Sequence, residues 1–102
     1  KTSGKAAHSA YPEQGDSAIE TLLDVLEDIR RTNFPHDEFF GETTVNIGTI
    51  DGGLALNVIP PKAEAGLLIR LTTPRELIET ALESVVRGRG EIEVLSCSEP
   101  VK

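Results

Sequence analysis

The chain has 102 residues, 38% of them apolar, with no Trp and no Met, which argues for one domain with a modest core of Leu, Ile, Val, Ala and a few Phe. Its formal net charge of −7 argues against nucleic acid or an anionic membrane as partner, since both need a basic stripe, and no apolar run reaches transmembrane length. Cys97 is the lone cysteine, so an internal disulfide is excluded and a reducing, cytoplasmic setting is expected.

The chain opens with Lys1-Thr2-Ser3, which has neither an initiator Met nor a signal-peptide pattern and is expected to be a piece excised from a longer protein. Residues 2–8 read as the end of a strand. His8 lies among small neighbours, Ala6, Ala7, Ser9 and Ala10, which leave an imidazole reachable. Pro12 stops any strand there and Gly15 frees the backbone before a helix. His8 is therefore expected between a strand end and a helix start, either facing a ligand or idle on a surface loop. Over 16–32, Ser17 and Glu20 form a capping box, and Ile19, Leu22, Leu23, Leu26 and Ile29 recur at helical spacing.

Residues 32–42 read as a loop anchored by Phe34, Phe39 and Phe40. Residues 43–50 are β-branched and alternate, with Val45 and Ile47 on one face, which predicts a strand. Asp51-Gly52-Gly53 predicts a turn. Pro60-Pro61 makes the following stretch a rigid extended connection. Alternation resumes over 62–72, with Ala63, Ala65, Leu67, Ile69 and Leu71 pointing one way and Glu64, Gly66, Leu68 and Arg70 the other. Thr73-Pro74-Arg75-Glu76 opens a second helix with Thr73 as N-cap, a buried stripe of Leu77, Ile78, Ala81, Leu82 and Val85, and an end at Gly88 and Gly90. Residues 91–97 alternate as a last strand.

The order β-α-β-β-α-β predicts an α+β, ferredoxin-like fold: a four-stranded antiparallel sheet with two helices on one face. The 43–50 strand is expected at a sheet edge, open to pairing with a second copy.

The sequence holds no HExxH, CxxC, EF-hand, phosphate-loop or nucleophile-elbow pattern. His8 and His36 lack partner ligands at metal spacing. Arg87 and Arg89 among glycines read as a solvated helix end or an anion grip. Asn57, before the stiff proline segment, is a turn residue or an immobilised amide. Arg70, mid-strand, is either half of a cross-strand ion pair, for instance with Glu64, or a carboxylate-binding guanidinium. Tyr11 either lines a site beside His8 or packs against the helix. His8, Asn57 and Arg70 together could make a polar recognition patch.

Gly4-Lys5-Ala6-Ala7-His8-Ser9-Ala10-Tyr11-Pro12, Gly15-Asp16-Ser17-Ala18-Ile19, Thr43-Thr44-Val45-Asn46-Ile47-Gly48, Gly52-Gly53, Asn57-Val58-Ile59-Pro60 and Ile69-Arg70 resemble, in order, the dimerisation (lid) domain of the M20 metallopeptidases. That family includes acetylornithine deacetylase, succinyl-diaminopimelate desuccinylase, aminoacylase and carboxypeptidase G-type enzymes. The resemblance implies that residues 1–102 are one domain of a larger amide hydrolase. Two zinc ions and the water-activating carboxylate would sit in a catalytic domain outside this chain, which would itself be inactive. It implies a homodimer through the 43–50 edge with help from the first helix. It gives His8 the role of an oxyanion donor in the partner's active site, and Asn57 and Arg70 that of holding the carboxylate of an acylated amino acid or small peptide. The competing expectations are a stand-alone ACT-type module binding an amino acid near Asp51-Gly52-Gly53, or a purely structural dimerisation module.

Overall fold

The computed structural model describes residues 1–95. Strands β1 (Thr2–Ser3) and β2 (Ala7–His8) open the chain, followed by α1 (Ala18–Arg31), β3 (Thr44–Gly52), β4 (Val58–Ile59), β5 (Lys62–Arg70) and α2 (Arg75–Val86). One 3₁₀ turn, Pro12–Gln14, separates β2 from α1. The class is α+β, and every strand pair is antiparallel.

The pairing differs from a single four-stranded sheet. β1, β5 and β3 form a three-stranded sheet in that order, and β2 with β4 forms a separate ribbon. The break falls at Pro60 and Pro61, which have no N–H to give a ladder. Their carbonyls serve other segments: Pro61 O accepts from the Gly4 N–H (2.7 Å) and Pro60 O from the Ala18 N–H (2.9 Å). Lys5 turns away and exchanges both backbone bonds with Asp16, at 2.8 and 2.9 Å. Where the last strand is expected, Glu91 and Lys1 exchange backbone bonds beside β1, at 2.7 and 2.8 Å. One such pair is too little for a ladder, and residues 91–95 form no strand. Ser96 and Cys97, the rest of that expected strand, lie outside the described residues.

α1 begins two residues later than its periodicity suggests. Ser17 is the N-cap, and its Oγ accepts from the Glu20 N–H at 3.2 Å. Ala18, Leu22, Val25, Leu26 and Ile29 are buried, and each Leu or Ile so buried contributes about 1.5–3 kcal/mol. Leu23 is exposed: it lies roughly 100° round the helix from Leu22, past the edge of the stripe, and Val25 takes its place. On α2 the buried residues are Ile78, Leu82 and Val86, while Leu77 is exposed. The Thr73 cap does not form. Pro74 holds the N-cap position, and Thr73 turns inward with Thr72, its hydroxyl unpaired among the described residues. The helix closes on Arg87 in the left-handed region (φ 51°), followed by Gly88.

β3 runs through the expected turn as far as Gly52, with an irregularity between Ile47 and Thr49. Gly53 follows with a φ of +95° that suits glycine, and the hydrogen-bonded turn comes later, where the Val58 N–H donates to Ala55 O at 3.2 Å. Of the three Phe anchors, Phe34 is buried. Phe39 is exposed because Asp37 Oδ1 accepts from the Phe39 and Phe40 N–H groups (2.7 and 3.2 Å), which puts Phe39 at the tip of a tight turn.

Both helices pack on one sheet face, against Val45 and Ile47 of β3 and Ala63, Ala65, Leu67 and Ile69 of β5. The other face presents Thr44, Asn46, Glu64, Leu68 and Arg70 to solvent. Asp28 near the end of α1 ties the two helices together. Arg89 Nη2 donates to Asp28 Oδ2 at 2.8 Å while its Nε and Nη2 also reach the Val86 and Val85 carbonyls, and Arg87 Nη2 stands 3.5 Å from the same carboxylate. The anion these arginines grip is thus one of the chain's own.

Candidate functional site

His8 ends β2, as the small residues and Pro12 suggest, and its loop is clasped at the base. The Lys5–Asp16 bridge closes residues 5–16 into one loop. Gly4 and Gly15 stand where the chain passes closest to itself. A Cβ on Gly4 would collide with the Asp16 carbonyl, and one on Gly15 would come within 2.8 Å of both Ala7 Cβ and Ile59 Cδ1. Gly15 has extended dihedrals (φ −128°, ψ 173°) open to any residue, so it is there for room, not for backbone freedom.

The ribbon aligns His8 with Val58 and so brings Asn57 to the imidazole's end of the molecule. The Ser9 N–H donates to Asn57 O at 3.0 Å, while the Asn57 side chain stays exposed. The His8 ring is exposed as well. Its Nδ1 accepts from the Ala10 N–H at 3.0 Å. Tyr11 packs on this ring, edge to face, with centroids 6.1 Å apart. The Ala10 N–H is invisible to residue-type reasoning, because any non-proline residue carries one; the run of small side chains is the only hint that the loop folds back so tightly.

Arg70 stands elsewhere. It ends β5, eight residues beyond Lys62, opposite Thr44, and a strand rises about 3.3 Å per residue. The β2–β4 ribbon continues past the other end of β5. Arg70 therefore lies roughly 25 Å or more from the imidazole, in a chain 55 Å long and 20 Å wide. One chain assembles His8 with Asn57, and the three-residue patch does not form within it. Nor is Arg70 paired with Glu64: they are six residues apart on one strand, and Arg70 makes no ion pair among the described residues.

Among the described residues, no three His, Cys, Asp or Glu side chains are grouped to hold a metal ion. The described residues therefore offer no ligand set that fits a metal ion. Asp51 and Gly52, on which an amino-acid-binding turn would rest, are strand residues. No helix among the described residues is long and apolar enough to cross a membrane.

β3 is an outer strand of its sheet, hydrogen-bonded to β5 alone among the described residues. Between its free edge and the end of α1 lies a cavity of about 240 Å³ lined by Ile29, Arg30, Thr32, Phe34, Val45 and Ile47. Val45 and Ile47 point to the core yet stay half-exposed.

Comparison with known proteins agrees with this architecture. The family model for the peptidase dimerisation domain of the M20 peptidases matches residues 1–89. A peptidase M20 domain-containing protein of Schizosaccharomyces pombe is 40% identical over 98 residues, covering 95% of this chain and 24% of that protein. A probable carboxypeptidase of Aspergillus niger is 42% identical over 104 residues, covering 92% of this chain and 25% of that protein. Among solved structures, the aminobenzoyl-glutamate utilization protein of Klebsiella pneumoniae superposes with a TM-score of 0.71 at 26% identity, over 85% of this chain and 22% of that one. A tripeptidase of Staphylococcus aureus gives 0.58 at 27% identity, over 86% of this chain and 24% of that one. The chain thus spans about a quarter of the length of the curated relatives it matches. It belongs to the M20 peptidase family, as a peptidase dimerisation domain.

Proposed function

We propose that this chain is the dimerising lid of a zinc-dependent amide hydrolase, in a reducing, cytoplasmic setting, acting on N-acyl amino acids or small peptides with a free carboxylate. Its part in the chemistry is to bring His8 to the partner subunit's active site, where the imidazole donates to the carbonyl oxygen of the scissile bond as negative charge builds there. Asn57 and Arg70 hold the substrate. The metal and the base that activates water belong to residues outside this chain.

The observation that carries the reading is the His8 ring: exposed, and held by its Nδ1, which leaves Nε2 as the nitrogen free to donate. Among the described residues nothing bonds Nε2, so a ligand or another subunit can take the bond. The probable carboxypeptidases and the tripeptidase among the relatives fit a substrate that ends in a carboxylate.

Dimerisation through β3 accounts for the distance to Arg70. Two-fold antiparallel pairing of β3 edges lays the Thr44 end of one copy beside the Gly52 end of the other. Arg70 shares the Thr44 end and His8 lies beyond the opposite one. The partner thereby brings its Arg70 toward this chain's His8. The same partner covers the groove beside Ile29 and Val45. His8→Ala in the longer protein tests the reading. Turnover is expected to fall about 100- to 1000-fold with little change in KM. Unchanged kcat would leave a purely structural dimerisation module.

A further inference from the structure

The turn after His8 is bonded more tightly than display alone requires. The Ala10 N–H reaches Nδ1 at 3.0 Å. The Tyr11 N–H closes on His8 O at 2.9 Å, and Gln14 and Gly15 continue the turn onto the Tyr11 and Pro12 carbonyls at 3.0 and 3.2 Å. The Ser9 N–H bonds Asn57 O at 3.0 Å. On one side of the ring stands Tyr11, inclined at 61° and itself 54% exposed, so it flanks the imidazole without covering it.

A neutral imidazole donates from one nitrogen and accepts at the other. A backbone N–H only donates, so the nitrogen facing Ala10 is the unprotonated one and the proton resides on Nε2. We propose that the Ser9–Tyr11 turn is a positioning device that locks His8 as its Nε2–H tautomer, with the Ala10 N–H choosing the nitrogen and the Tyr11 ring holding the plane. An unrestrained imidazole spends part of its time with the proton on Nδ1 and then has no outward donor. Locking the tautomer removes that idle fraction before substrate arrives. The device serves the reaction only if His8 is the oxyanion donor proposed above.

The test is two-bond ¹H–¹⁵N NMR of the ¹⁵N-labelled 102-residue chain near pH ~8.5, about two units above an ordinary histidine pKa. The other histidine, His36, has no ring bond among the described residues and serves as the internal reference. His8 is expected to show an acceptor-type Nδ1 and a donor-type Nε2 without averaging, while His36 shows averaged nitrogens. Ala10→Pro deletes the N–H and should move the His8 signals to His36-like values; Ala10→Gly keeps the N–H and the wild-type pattern. A proton on Nδ1 of His8, or an Ala10→Pro spectrum identical to wild type, overturns the proposal. If Ala10→Pro does not fold, Tyr11→Ala in the longer protein decides the matter: kcat should fall about tenfold at constant KM, part of the ~100-fold that a misplaced group costs. Tyr11→Phe should recover most of that loss. Wild-type kcat in Tyr11→Ala overturns the role of the ring. Averaged His8 nitrogens in a protein that His8→Ala still cripples overturn this device alone. A locked tautomer with unchanged kcat in His8→Ala overturns the donor role and, with it, the purpose of the lock.

Discussion

His8 and Arg70 stand at opposite ends of the chain, separated by the whole length of β5. Both can touch one small substrate only if they come from different copies. Mixing therefore gives a sharp prediction for the longer protein. His8→Ala and Arg70→Ala are each expected to be nearly inactive, and the mixed dimer to regain one intact site out of two. Statistical mixing in a two-fold dimer then yields about a quarter of wild-type turnover. No recovery in mixtures shown to exchange subunits would mean that the two residues serve the same protomer's site or different ligands.

The free edge of β3 carries the predicted self-association. Asn46 is exposed on this strand, and its side chain points away from the core. Asn46→Lys sets like charges along the paired edges, a device by which exposed strands avoid each other. The dimer Kd of the isolated chain should rise roughly tenfold, since the two-fold axis counts each new repulsion twice. Sedimentation velocity across a concentration series reads the change. A wild-type chain that stays monomeric at millimolar concentration would remove β3 as the interface.

Gly15 positions the ribbon that carries His8. A methyl there meets the Ala7 Cβ, which cannot move away as a long side chain can, and lies 3.0 Å from the Lys5 carbonyl. Gly15→Ala should destabilise the chain by about 1–3 kcal/mol, the usual range for overpacking. The strain falls on β2 and β4, so backbone amide shifts should move at Ala7, His8, Val58 and Ile59 and stay put in α2. An unchanged Tm would show that the loop yields freely.

Asp28 makes stability acid-sensitive. Its pKa lies below the ordinary 3.8, first because of the hydrogen bond from Arg89; desolvation of the carboxylate opposes this, and the positive charges of Arg89, Arg87 and Arg31 add to the lowering. A lowered folded-state pKa means the contribution is complete above the ordinary value and is lost as pH falls through the folded one. Thermal melts taken from about pH 7 down to about pH 2 should show a steeper acid limb in the wild type than in Asp28→Asn. Salt should narrow the difference at neutral pH, because the carboxylate is partly exposed.

Consecutive residues hold the information for α1, α2, β3 and β5, because period and capping are local. Leu22, Leu26 and Ile29 recur at helical spacing, Ser17 caps its own helix, and Ala63 to Ile69 alternates. The motif around His8 was legible as well, since small neighbours and a proline act within a few bonds. Local reasoning fails where a distant segment competes. Thr73 has the chemistry of a cap, but the core draws it inward. Asp51 and Gly52 have the composition of a turn, but β5 supplies Glu64 and Ala63 as ladder partners and extends the strand over them.

Residue types alone show that the chain offers an imidazole, an amide and a guanidinium. They do not show the distances, because a spacing of thirteen residues between Asn57 and Arg70 can be a tight loop or a long straight run. Two prolines interrupt the ladder without turning the chain back, and β5 then carries Arg70 away from the other two. Which nitrogen of His8 bears the proton was likewise set by folding, because the group that chooses is a backbone N–H common to nearly every residue, selective only once a turn has brought it within 3.0 Å of the ring.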